Sequence, residues 1–206
     1  MSEDGIDDGA RGAVQSEKAL DRLVAFSDAV VAIAITLVVL PLVDRAMEAE
    51  SATAFFADNV TGIISAALSF VVIAAFWRAN HVMFVHAHGY NRLVGRLQTL
   101  WLATIVFLPV ATALDLAGPA ADRVGLGSYL GTMLLGGAIL RVQAIALERE
   151  GLSDRAPEPP LTRWIGTILM AVALLLVLLF PQPGALWLLV LLVEIPLRPL
   201  LGRRRR

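Results

Sequence analysis

Arg22-Leu23-Val24-Ala25-Phe26-Ser27-Asp28-Ala29-Val30-Val31-Ala32-Ile33-Ala34-Ile35-Thr36-Leu37-Val38-Val39-Leu40 decides the fold. The stretch is a membrane-length apolar helix that carries an ionisable acid near its start. A carboxylate at the centre of a bilayer costs about 2.5–3.5 kcal/mol on insertion scales, so such residues normally face protein or water and have a partner. A simple lipid anchor gives Asp28 neither, and the helix is therefore expected to belong to a packed bundle.

The remaining chain supplies that bundle. Crossing a hydrocarbon core of about 30 Å takes about 20 helical residues, and apolar stretches of this order lie near 22–43, 59–80, 93–115, 124–147, 162–181 and 184–201. Pro181-Gln182-Pro183-Gly184 makes a hairpin turn between the last two. Lys and Arg cluster in alternate connectors: the N-terminal tail through Arg22, Arg78 to Arg96, Arg141 to Arg163, and Arg198 to Arg206. The other connectors hold only Arg45 and Arg123, so the positive-inside rule places both termini in the cytosol. The reading is an all-α membrane protein of six transmembrane helices. Residues 1–20 read as an acidic, disordered cytosolic tail without a signal peptide, 21–202 as the membrane domain with a cytosolic linker at 147–161, and 203–206 as a basic cytosolic tail.

Composition agrees. Hydrophobic residues make up 57% of the chain and charged residues 17%, with a mean hydropathy of +0.72, which excludes an ordinary soluble domain. Cysteine is absent, which excludes disulfides, thiolate metal sites and thiol redox chemistry. Arg203 to Arg206 directly follow a helix end and fit contact with anionic lipid better than nucleic-acid binding. His86 and His88 would point about 200° apart on a helix and have no carboxylate cluster beside them, so a metal site is not expected. No nucleophile, metal cluster or pair of catalytic carboxylates points to an enzyme, and no residue calls for a cofactor.

On the first helix, Ile33, Leu37 and Leu40 form a row of large apolar side chains within about 60° of one another, and Ala25, Ala29, Ala32 and Thr36 form an adjacent stripe of small ones. Small-residue stripes let membrane helices approach closely. Asp28 lies about 140° around the helix from Ile33, so the two cannot share a face. Helix 1 enters from the same side at which helix 2 ends with Trp77-Arg78-Ala79-Asn80-His81 and helix 3 begins with Arg96 and Gln98. Arg22, Ser27, Asp28, Asn80, His81 and Gln98 are thus expected to form one hydrogen-bonded network that satisfies Asp28. Pro109 is expected to kink or end helix 3, and Glu194 has Arg198 one turn away as an internal partner.

An Arg, three residues, then Phe-Ser-Asp (Arg22, Phe26, Ser27, Asp28), followed by Ala32-Ile33-Ala34-Ile35-Thr36-Leu37, resembles the transmembrane protein 175 family of potassium channels. Trp77-x-x-Asn80-His81-x-x-Phe84 and Phe107-Leu108-Pro109 are also similar to family features, while Gln98 stands where the resemblance leads to an Asn. The resemblance implies that the first helices of a homotetramer line a central pore, with Ile33 at the narrowest point and Thr36 beside it as a selectivity-associated hydroxyl. Leu37 and Leu40 would continue the constriction. A ring of such apolar side chains can hold a pore shut by dewetting. Potassium would then be the permeant ion, with no metal held otherwise. The Thr-Val-Gly-Tyr-Gly filter is absent, so selectivity cannot come from a carbonyl cage. The lack of a second six-helix unit and of organelle signals points to the cell membrane. The competing class is a proton-coupled secondary transporter using Asp28, His81 or Glu194, against which stands the lack of inverted repeats.

Overall fold

The computed structural model describes residues 4–117, 123–154 and 160–179, with side-chain surroundings given for 17–114, 124–154, 164–176 and 179. The described residues form seven α-helices: α1 (Asp4–Leu37), α2 (Leu40–Glu48), α3 (Ala52–Asp58), α4 (Val60–Val85), α5 (Arg92–Ala117), α6 (Arg123–Arg149) and α7 (Pro160–Leu179). Among the described residues, four stretches are long and apolar enough to cross a membrane: Glu17–Glu48, Val60–Val85, Arg92–Leu114 and Val124–Arg149. α7 covers most of the fifth expected span, and its shorter apolar part is Trp164–Leu176. The expected sixth span at 184–201, with the Pro181–Gly184 turn, Trp187, Glu194 and Arg198, lies outside the described residues.

Residues 4–20, expected as a disordered tail, are helical and continue α1. Ala10, Ala13, Glu17, Lys18, Ala19 and Leu20 are good helix formers, and an existing helix adds residues at little cost compared with nucleating a new one. At the other end α1 stops at Leu37 and the chain restarts as α2 at Leu40, with Pro41 in the first turn. Pro41 has no N–H and its ring would collide with the carbonyl of Leu37, so a break here follows from covalent geometry. Pro109 acts more mildly: α5 runs through it to Ala117 instead of ending. Its missing N–H frees only the carbonyl of Ile105, and transmembrane helices tolerate such a proline inside a packed bundle.

α5 is the centre of the bundle. It packs against α1, α4 and α6, and α7 packs on the outer side of α6. Trp101, Ile105 and Leu108 of α5 are fully buried, together with Ile73 of α4 and Leu130 and Leu147 of α6. α4 buries Gly62, Ala66, Ser69, Ile73, Phe76, Asn80 and Met83, one residue every third or fourth position, which is the stripe a helix presents to its neighbours. Where α5 meets α6 the backbones come close at Gly136: a methyl group there would sit 2.9 Å from the Thr104 hydroxyl.

The loops after α4 and α6 are also tied together. Gly151 takes φ +65 and lets Leu152 N donate to Leu147 O at 2.9 Å, the left-handed turn that ends a helix and favours glycine. The chain then runs beside residues 86–88: His88 N donates to Leu152 O at 3.0 Å and Asp154 N to His86 O at 3.0 Å. His88 Nε2 lies 2.8 Å from Asp154 Oδ2.

Candidate functional site

α1 has one packed and one uncovered side. Leu20, Ser27, Val31 and Ala34, with Val38 just past the helix end, are buried on the side that meets the protomer's own α4 and α5. On the uncovered side lie Arg22, Ala25, Phe26, Ala29, Ala32, Ile33, Thr36 and Leu37. Ile33 is 60% exposed. The small-residue stripe and the large apolar row are therefore both left bare by the described helices. The row is not one continuous helical face, however, because Leu40 (51% exposed) begins α2 beyond the Pro41 break, while Ile33 and Leu37 belong to α1.

Thr36 sits beside Ile33 with its hydroxyl committed: Oγ1 donates to Ile33 O at 2.8 Å. With its one proton spent on the helix backbone, the oxygen presents only lone pairs outward. That is the polarity a cation would meet.

Behind this side of α1 is a buried polar network centred on Gln98, whose side chain is fully buried. Gln98 Nε2 donates to Ser27 Oγ at 2.9 Å and to Asn80 Oδ1 at 3.2 Å. Its Oε1 accepts from Asn80 Nδ2 at 3.0 Å and from Gln143 Nε2 at 2.8 Å. Ser27 Oγ completes its own valence by donating to Leu23 O at 2.7 Å. Glutamine is one methylene longer than asparagine, and from α5 it reaches α1, α4 and α6 together. Sequence does not single out Gln143, whose only signal is a lone amide among apolar residues of α6. Two buried atoms of this region, Gln143 Oε1 and Trp101 Nε1, have no hydrogen-bond partner among the described residues.

The expected single network is two clusters. Ser27, Asn80 and Gln98 come together as expected, but Asp28, His81 and Arg22 do not join them. Adjacent residues on a helix point about 100° apart, so when Ser27 faces α5 the half-buried Asp28 turns to the flank of α4. There the Trp77 indole Nε1 donates to Asp28 Oδ1 at 2.8 Å. The Trp77 ring in turn stacks on His81, centroids 5.4 Å apart. Arg22 and Phe26 are exposed. A second buried polar group, nearer the other end of the bundle, joins three helices: Ser69 and Thr112 hydroxyls lie 2.8 Å apart, with Tyr129 OH 3.3 Å from Ser69. Among the described residues no group of His, Asp or Glu is placed to hold a metal ion.

Most of this arrangement, from Arg22 of α1 to Pro109 of α5, lies in a segment that matches known proteins. The family model described as "Endosomal/lysosomal potassium channel TMEM175" matches residues 22–109. Residues 22–109 are similar to the TMEM175 family. The human protein named "Endosomal/lysosomal proton channel TMEM175" is 32% identical over 100 residues, which cover 44% of this chain and 20% of the human protein. The match thus spans about a fifth of that relative's length. TMEM175 is described as a channel in both comparisons, but the two descriptions name different ions. Within the matched segment fall Arg22, Phe26, Ser27, Asp28, Ile33, Thr36, Asn80, His81 and Gln98; Gln143 and α7 lie beyond it.

Proposed function

We propose that this chain is a potassium-permeable cation channel of the bacterial single-repeat type within the TMEM175 family. It assembles as a homotetramer in a cell membrane, with six spans per subunit and both termini cytosolic. Four α1 helices surround the axis. Ile33 narrows the path as a hydrophobic constriction, Leu37 and Leu40 extend it across the Pro41 break, and Thr36 offers a hydroxyl oxygen to a partly dehydrated cation. The Gln98 network holds α1 at a fixed rotation, so the constriction is set from behind by hydrogen bonds rather than by contact with the ion.

One observation carries this reading. α1 is the helix with the family motif, and its Ala29, Ile33 and Thr36 side is uncovered by its own protomer. A stripe that mixes alanines, a threonine and an isoleucine suits close approach of helix copies around a narrow path better than a uniform lipid-facing surface.

Proton permeation is the second reading, favoured by the Asp28, Trp77 and His81 cluster and by the name of the human relative. In its transporter form it would use Asp28, His81 or Glu194. Purified protein in a planar bilayer under opposed potassium and sodium gradients separates these. Unitary current steps with a reversal potential on the potassium side support the channel. Saturable flux strictly coupled to a pH gradient, without unitary steps, supports the transporter and contradicts the channel.

A further inference from the structure

A cavity of about 430 Å³ opens between α4, α6 and α7, on the side of the bundle away from α1. Its deep part is apolar, walled by Val72, Phe76, Met133 and Met170. Its other end holds Arg78 of α4 and Arg141 of α6. α4 and α6 both run toward the end where residues 86–88 pair with 152–154. At 1.5 Å rise per residue, Arg78 lies about 11 Å and Arg141 about 12 Å before the ends of their helices, at matching depth. From Arg78 to Val72 the trough extends about 9 Å toward the bilayer centre.

Two guanidinium groups at one level above a greasy trough match one chemistry found in a bilayer. We infer that the groove between α4, α6 and α7 binds an anionic phospholipid, with its phosphate between Arg78 and Arg141 and the upper part of one acyl chain against Phe76, Met133 and Met170. Basic pockets between membrane helices commonly hold anionic head groups, and guanidinium binds phosphate oxygens through paired, charge-assisted hydrogen bonds. A zwitterionic lipid carries a cation that opposes the two arginines. Gly137 forms part of the trough, and a methyl group there would lie 3.6 Å from Met170 Sδ, so a larger side chain occupies the space of the acyl chain. The site depends on the membrane-spanning architecture and not on which ion the protein conducts.

The test uses full-length purified protein in detergent, with phosphatidylglycerol or phosphatidylcholine of identical chains added. Native mass spectrometry counts retained lipid and thermal unfolding reads stabilisation. Wild type is expected to retain phosphatidylglycerol at least fivefold better than phosphatidylcholine and to melt higher in its presence. Arg78→Gln, on an exposed residue, is expected to weaken that retention about fivefold, the effect of one basic residue near an anionic surface. Gly137→Leu is expected to abolish it while the lipid-free protein still unfolds cooperatively. Equal retention of the two lipids overturns the inference, as does phosphatidylglycerol binding unchanged in Arg78→Gln. Stabilisation by inorganic phosphate equal to that by phosphatidylglycerol also overturns it, because the acyl chain would then contribute nothing.

Discussion

The indole of Trp77 donates to the carboxylate of Asp28 at 2.8 Å, joining α4 to α1 next to the fully buried Ser27. Each of the two neighbours on α1 thus fastens the helix to a different partner, Ser27 to α5 and Asp28 to α4. Two fastenings about 100° apart around the helix fix its rotation, and rotation decides which residues the uncovered side presents.

Trp77→Phe removes the donor and keeps the ring. Hydrogen bonds to charged groups contribute about 1.5–3 kcal/mol, so a loss of that order is expected in thermal or denaturant unfolding in detergent. If the ion preference of assembled Trp77→Phe channels changes while stability does not, Asp28 acts on the ion and not on the position of α1.

Gln98→Leu leaves Asn80, Gln143 and the Ser27 hydroxyl short of partners in a buried site. An unsatisfied buried polar group costs about 1–3 kcal/mol, so assembly and yield are expected to collapse. Gln98→Asn keeps the amide but shortens its reach, and an intermediate melting temperature is expected. A Gln98→Asn protein as stable as wild type would show that the extra methylene is not needed to span three helices.

Thr36→Val keeps the shape and removes the hydroxyl oxygen beside Ile33. A shift of the potassium/sodium reversal potential toward non-selectivity is expected, with Thr36→Ser close to wild type. Identical reversal potentials for all three proteins would leave Thr36 without a role in ion choice.

Ile33→Asn places an amide at the constriction and wets it. Higher leak current at rest is expected, since an apolar constriction gates by excluding water. Conductance and open probability equal to wild type would move the constriction elsewhere on the helix.

Length and hydropathy made the four long spans readable, because a bilayer imposes about 20 apolar residues whatever the helix packs against. Ser27, Asn80 and Gln98 were readable as a group since alternate crossings bring them to one end of the bundle. What sequence left open was rotation. Whether Ser27 or Asp28 faces α5 depends on tertiary packing, and so does the recruitment of Gln143 from a helix that sequence places nowhere in particular. The pairing of residues 86–88 with 152–154 depends likewise on how α4 and α6 lie together. The break before α2 was visible in principle at Pro41, but hydropathy runs through it without a dip and hides it.

The absence of cysteine in the whole chain offers the most direct test of the claim that α1 walls the ion path. Ile33→Cys, Thr36→Cys and Val31→Cys would each be recorded in a planar bilayer before and after a membrane-impermeant thiol reagent. Current through Ile33→Cys and Thr36→Cys is expected to fall irreversibly, and current through Val31→Cys, on the packed side, to stay unchanged. Undiminished current through Ile33→Cys, together with its labelling by a lipid-soluble maleimide, would put that side of α1 against acyl chains and contradict the pore.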